Sequence, residues 1–192
     1  MSIRVLGVDP GLTRCGVGVI DVEPSRKVEL VSVDVFKSDA GLDAAQRVGK
    51  IAVMLANLID EVKPQSIAIE RVYADTNVST VMGTAQISGV VMYLAHIRGI
   101  PVTLHTPTEV KAAVTGSGRA GKEQVGKMVA TILGLGEVPK PADAADALAI
   151  AICHAWRALS IGIGATSDSI TPAQKAWRQA EIDAQHKGNA AR

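Results

Sequence analysis

Val5-Leu6-Gly7-Val8-Asp9-Pro10-Gly11-Leu12-Thr13-Arg14-Cys15-Gly16-Val17-Gly18-Val19-Ile20 is the stretch from which the rest of the chain is best read. Val5, Leu6 and Val8 form an apolar run of the kind that fills a strand covered on both faces. Asp9 ends that run. Desolvating a lone carboxylate costs several kcal/mol or more, so an acid at this depth calls for a partner. Pro10-Gly11 turns the chain, and Cys15 to Ile20 reads as a second strand returning beside the first. The result is an acid where a sheet interior meets solvent, in need of a cation. A bland alternative stands beside this: Asp9 could simply accept bonds from backbone amides of its own turn.

Working outward, Lys27 to Phe36 carries Val28, Leu30, Val31, Val33 and Val35 and reads as a third strand, completing an antiparallel meander. A helix follows from about Asp43 to Val62, with Val48, Ile51, Leu55, Leu58, Ile59 and Val62 on one stripe. Lys63-Pro64 stops it. Ser66-Ile67-Ala68-Ile69-Glu70 is a short apolar strand that again ends in an acid. From Asn77 to Arg98 the pattern is helical and apolar beyond a single stripe, and Gly99 suits its C-cap. Pro101 to His105 reads as a fifth strand. Thr106-Pro107-Thr108-Glu109 has the form of a capping box opening a helix. A further helix runs from near Lys122 to Leu133, and an Ala-rich one from Ala142 to about Leu159. The order predicts an α/β fold: a five-stranded mixed sheet, three strands antiparallel and then two parallel, with helices on both faces. Residues 1–159 are expected to form the domain and residues 160–192 a flexible C-terminal extension.

Composition narrows the function. The chain has 192 residues, enough for one domain with a substantial core. Its net charge of +1 excludes a histone-like or membrane-surface polycation, so any nucleic-acid site must be a local patch. Cys15 and Cys153 sit in apolar surroundings without metal-ligand spacing, which fits buried free thiols in a reducing compartment. No stretch has the form of a signal peptide or a membrane span, so a cytoplasmic protein is expected.

The acids carry the chemistry. Asp9 and Glu70 each close a strand, and Asp143 and Asp146 lie three apart on one helix face. Leu148, Ile152, Ala155 and Leu159 provide a different stripe to dock that helix on the sheet. Four carboxylates could then converge, a self-repelling set unless cations hold it together. All-oxygen ligands suit Mg²⁺ or Mn²⁺, and paired ions of this kind hydrolyse phosphodiesters. Taken singly, Asp143 reads equally as an N-cap and Asp146 as a first-turn acid favoured by the helix dipole.

Taken together, Leu6-Gly7-Val8-Asp9-Pro10-Gly11, Ile69-Glu70-Arg71-Val72-Tyr73 and Ala142-Asp143-Ala144-Ala145-Asp146-Ala147-Leu148-Ala149-Ile150-Ala151 resemble the motifs of RuvC-type Holliday junction resolvases, crossover junction endodeoxyribonucleases. The resemblance runs from about Ile3 to Arg157. It implies a ribonuclease H-like fold with Asp9, Glu70, Asp143 and Asp146 as catalytic ligands of two Mg²⁺ ions, which Mn²⁺ would replace. It also implies a homodimer that resolves four-way DNA junctions by paired symmetric nicks, in homologous recombination and DNA repair. The partner it implies is a junction-binding and branch-migration motor complex of the RuvA–RuvB type. The apolar helix from Asn77 to Arg98, with Gly83, Ala85, Ser88 and Gly89, would be the contact between the two copies; on its residues alone it could equally be a central buried helix.

Between Arg98 and Lys127 five Lys or Arg stand against two Glu, a local positive balance. Phosphate contacts of this kind give affinity without reading sequence. Lys111 and Lys122 lie near helix starts, where backbone N–H groups also favour anions, and both match lysines the family uses near the scissile phosphates. Solvated helix lysines are the alternative. Arg119 lies in a Gly-rich connection, Gly116 to Gly121, that could follow DNA. That connection nearly fits a phosphate loop, but Glu123 stands where a Ser or Thr is needed and a helix precedes it, so a P-loop is rejected. Tyr73 is one of five aromatics and could stack on an unpaired base or pack at a loop edge. The family places an aromatic there, usually Phe, to open the junction. His105 and His154 read as structural.

Three rivals remain at this point. An actin-like or sugar-kinase-like ATP-binding domain shares the opening motif but needs a second domain and further glycine-rich phosphate motifs. A silent junction-binding protein would have little use for four acids that repel DNA. Another ribonuclease H-like nuclease, acting on RNA or flaps, fits less well with Tyr73, Lys111 and Lys122.

Overall fold

A computed structural model describes residues 2–71 and 78–161, so Tyr73 and the stretch from residue 162 onward lie outside the described residues. Strands β1 (Ile3–Asp9), β2 (Arg14–Val22) and β3 (Val28–Lys37) form the expected meander, followed by helix α1 (Ala44–Val62) and strand β4 (Ser66–Glu70). Helix α2 (Val78–His96) leads to β5 (Val102–His105), and α3 (Pro107–Thr115), α4 (Lys122–Ile132) and α5 (Ala142–Ile161) complete the described residues. α5 crosses Ser160, two residues beyond the boundary read from composition.

The sheet order is β3-β2-β1-β4-β5, with β1 antiparallel to β2 and parallel to β4. β4 and β5 are parallel, so the mixed sheet agrees with the sequence reading. Strand side chains alternate between faces, and this alternation places the acids. Val5 and Ala68 belong to the core on the α3–α4–α5 side, whereas Leu6, Val8, Ile67 and Ile69 belong to the core under α1 and α2. By the same parity Asp9 and Glu70 project toward α5. Both cores are aliphatic, and each fully buried Leu or Ile among them contributes roughly 1.5–3 kcal/mol over an exposed one.

Helix ends follow the local chemistry. Asp43 and Gln46 form a capping box on α1, and Thr106 and Glu109 form the one expected on α3. α3 ends on Gly116 in the left-handed region, at φ 79°. α2 is apolar nearly all round: Ile87, Val91, Leu94 and Ala95 are buried, while Met82, Met92 and Tyr93 remain exposed, as does Ile97 just beyond its end. Among the described residues no helix is long and apolar enough to cross a membrane.

Glycines seat α5 on the sheet. A Cβ at Gly7 would overlap the Ala147 carbonyl and crowd the Ala151 amide, and one at Gly16 would overlap the Asp143 carbonyl. At Gly18 it would press Leu148 at 2.8 Å. The three glycines pair across β1 and β2, Gly7 with Gly18 and Asp9 with Gly16, so the helix backbone rests directly on the strands. Leu148, Ile152 and Ala155 are buried as expected, with Leu159 packed at the edge of the same core.

Behind this seat His154 and His105 bond to each other at 3.1 Å, and His154 also bonds Ser66 Oγ at 3.1 Å. Both rings are buried, in keeping with a structural role. Burial, with a smaller contribution from His105, depresses the His154 pKa from 6.5 to about 4. The unfolded chain therefore takes up this proton at a higher pH than the folded one. Its contribution to stability is complete above pH 6.5 and is lost as pH falls toward 4, by roughly 2–3 kcal/mol. Urea denaturation at pH 7 and pH 4.5 should show that extra loss in wild type but not in His154→Gln. Equal losses in the two proteins would remove His154 as the cause.

Candidate active site

Three elements deliver the acids: β1 ends in Asp9, β4 ends in Glu70, and the first turns of α5 carry Asp143 and Asp146. Asp9 is the centre of the set. Its carboxyl is pushed up to about 7, first by desolvation and then by Asp146, Glu70 and Asp143 in that order, with Lys122 opposing. Glu70 is also raised, by burial and by Asp146, against Lys122 and Lys111. Asp9 lines one cavity with Glu70 and Asp146 and another with Asp143. Among the described residues, however, no three acidic, histidine or cysteine side chains are grouped tightly enough to hold a metal ion as they stand.

Two cations of the chain itself engage the α5 acids. Lys122 Nζ donates to Asp146 Oδ2 at 3.3 Å, and Arg14 Nε stands 3.2 Å from Asp143 Oδ2. Each pair lines a different cavity, Lys122 with Asp146 in one and Arg14 with Asp143 in the other. The two cavities meet at Asp9. One of about 170 Å³ is lined by Asp9, Glu70, Lys111, Lys122 and Asp146 among others. The other, of about 490 Å³, is lined by Asp9, Thr13, Arg14, Arg47, Thr84 and Asp143 among others. Asp9 belongs to both. The donor set fits a hard divalent cation: it is all oxygen and anionic, and burial together with the neighbouring acids raises its central carboxyl.

Lys111 and Lys122 thus reach the acids, as expected from their places in α3 and α4. Lys122 is itself raised, chiefly by Asp146. Arg119 is exposed in the turn between those helices, where its backbone N–H bonds Ser117 Oγ, and it lines neither cavity. Tyr73 is outside the described residues. The N-cap alternative for Asp143 gives way: the helix starts at Ala142, and the Asp143 carboxylate is engaged by Arg14.

Arg14 and Arg47 were not singled out from sequence. Arg14 opens β2, five positions after Asp9, and an arginine so close to a strand-end acid was the available signal. Arg47 on α1 donates Nε to Ser38 Oγ at 3.1 Å and an Nη to Thr13 Oγ1 at 2.7 Å, bracing the β1–β2 turn. That contact spans thirty-four positions and left no local trace. Cys15 and Cys153 are buried free thiols, each pushed up to about 12 by desolvation, and neither serves the site.

Comparison with known proteins agrees with this geometry. Residues 5–154 match the family described as crossover junction endodeoxyribonuclease RuvC. The chain is 57% identical over 189 residues to the crossover junction endodeoxyribonuclease RuvC of Paenarthrobacter aurescens, covering 97% of this chain and 100% of that protein. It is 55% identical to that of Leifsonia xyli, covering 94% of this chain and 93% of the other. Among solved structures it resembles Thermus thermophilus RuvC in complex with Holliday junction substrate, with TM-score 0.78 and 36% identity, over 82% of this chain and 95% of that one. With the mixed sheet, the strand-end acids and the paired aspartates of α5 in place, the chain belongs to the crossover junction endodeoxyribonuclease RuvC family.

Proposed function

We propose that the protein resolves four-way DNA junctions by metal-dependent hydrolysis of two opposed phosphodiesters, in recombination and repair. The observation that carries this is the position of Asp9 in the lining of two cavities, one shared with Glu70 and Asp146 and the other with Asp143, so that acids from three elements surround one point. Asp9, Glu70, Asp143 and Asp146 would hold two Mg²⁺ ions, with Mn²⁺ as a substitute. Divalent ions bound there supply the positive charge that acidifies an attacking water and offsets the charge on the departing 3′ oxygen.

The chain's own residues do the rest. Asp9 and Glu70 project from strand ends locked in the sheet, so their placement costs little reorganisation during reaction. Lys111 and Lys122 line the smaller cavity with Asp9 and Glu70, where their charge orients a scissile phosphate and stabilises its added charge. No side chain need form a covalent bond to DNA. Tyr73 is the group for stacking at the crossover, and Arg119 would touch backbone farther from the acids. Residues 1–159 form the nuclease domain of this reading, with the remainder an extension. The exposed apolar side chains of α2 support a homodimer, whose two-fold axis would match that of the junction. A branch-migration motor complex of the RuvA–RuvB type is the partner that would present such junctions, in the cytoplasm.

Cleavage of a synthetic mobile four-way junction, with Mg²⁺ and with EDTA, beside linear duplex and an ATP-hydrolysis control, tests the reading. Paired symmetric nicks confined to the junction and dependent on metal are expected. Nicks in linear duplex at the same rate, or none in either DNA, would overturn it. Lys122→Ala should lower the junction cleavage rate about 10²-fold. Its side chain is largely exposed, so its thermal midpoint should stay within a degree or two of wild type. A large drop in the midpoint would instead make Lys122 a structural residue.

A further inference from the structure

We propose that Arg14 is a DNA-phosphate ligand held on Asp143, which it releases when a divalent ion takes that carboxylate. The inference rests on the reading of the acids as metal ligands and extends it to the opposite bank of the site. Lys111 and Lys122 line only the smaller cavity, on the Glu70 and Asp146 side of Asp9. The larger cleft, on the Asp143 side, has its own cations in Arg14 and Arg47, with Thr13 and Thr84 also in its lining. A DNA strand crossing Asp9 must leave the small cavity on one side and enter this cleft on the other.

The two arginines differ in their freedom. Arg47 is braced by its bonds to Ser38 and Thr13, which fix the guanidinium at the cleft wall. Arg14 is joined to Asp143 through one nitrogen, and 59% of its side chain is exposed. An ion pair so open to water is worth no more than about 1 kcal/mol, so a divalent cation can displace it. The displaced guanidinium is a planar fork suited to phosphate oxygens, and the cleft is where it would turn. Metal and DNA would then reinforce each other. The ion frees the arginine for the phosphate, and a phosphate that captures the arginine frees Asp143 for the ion.

Two measurements on the whole protein test this without relying on cleavage. First, Mn²⁺ binding to the DNA-free protein should be about 2- to 5-fold tighter in Arg14→Gln, because a competitor for Asp143 is gone. Second, junction binding in Ca²⁺ across a salt series should weaken in Arg14→Gln, with a slope of log K against log salt shallower by about 0.9, the loss of one phosphate contact. In EDTA the two proteins should give the same slope. Arg14→Lys keeps the charge and should keep the wild-type slope, which separates lost contact from lost fold. Unchanged Mn²⁺ affinity, or an unchanged slope in Ca²⁺, overturns the role of Arg14. If wild type itself failed to prefer the junction over linear duplex, the resolvase reading would fall instead.

Discussion

Asp9→Asn should abolish junction cleavage, lowering the rate by at least about 10³-fold, and should at the same time make the metal-free protein more stable. The first effect follows from the position of Asp9, which lines both cavities and interacts with all three other acids. An amide has the same shape but contributes one neutral oxygen where an anionic ligand is needed, and the loss of a principal electrostatic group at a reacting centre carries penalties of this order. The second effect follows from burial and the same repulsion. Burial, and after it the three neighbouring acids, push the Asp9 carboxyl up from 3.8 to about 7 in the folded chain. An acid whose folded pKa is raised opposes folding as pH climbs through that interval, because the unfolded chain gives up the proton first. At pH 8 without metal nearly the full penalty applies, of order 4 kcal/mol, and Asp9→Asn relieves it. Chemical denaturation in EDTA at pH 8 should therefore place the variant above wild type. Adding Mg²⁺ should raise wild type and leave the variant nearly where it was. A variant that is both inactive and less stable in EDTA would mean that Asp9 is a structural acid bonded to its own turn.

The second large effect concerns a residue with no chemistry of its own. Gly7→Ala should destabilise the protein by about 3 kcal/mol or more and nearly eliminate cleavage. The added Cβ would meet backbone on α5, the Ala147 carbonyl and the Ala151 amide, and neither can move aside as a flexible side chain would. Overpacking a well-filled core costs about 1–3 kcal/mol even where side chains can adjust. Lifting α5 also carries Asp143 and Asp146 away from Asp9, and a displacement of about 1 Å at a reacting centre is worth about 10²-fold in rate. Gly49→Ala is the control. It lies on α1 with open space where its Cβ would stand, and in a helix interior the change should stabilise slightly. Comparable melting of the two variants would remove the close seating of α5 as the cause.

The fold was legible in the chain because its signals are local. Apolar runs ending in acids marked β1 and β4, and the Thr106–Glu109 box marked the start of α3. Strand parity then put Asp9 and Glu70 on one face without further information. The docking stripe of α5 was legible but its close approach was not, since Gly7, Gly16 and Gly18 look like ordinary strand glycines until the helix that covers them is known. The same is true of the partners that divide the acids. Arg14 to Asp143 and Lys122 to Asp146 join residues far apart in sequence, and nothing in either neighbourhood announces its mate. The His105–His154 bond spans forty-nine positions and was equally silent. Periodicity reports what an element buries, not what it is bonded to across the molecule.

The placement of α5 also sets when the enzyme comes into being. β1, β2 and β3 are adjacent in sequence and can pair as soon as they leave the ribosome, whereas β4 must wait for α1 and α5 for everything before it. Until Ala142 and the residues after it have been made and docked, the nascent chain carries Asp9 and Glu70 without Asp143 or Asp146. A fragment that stops before Ala142 would lack two of the four candidate ligands.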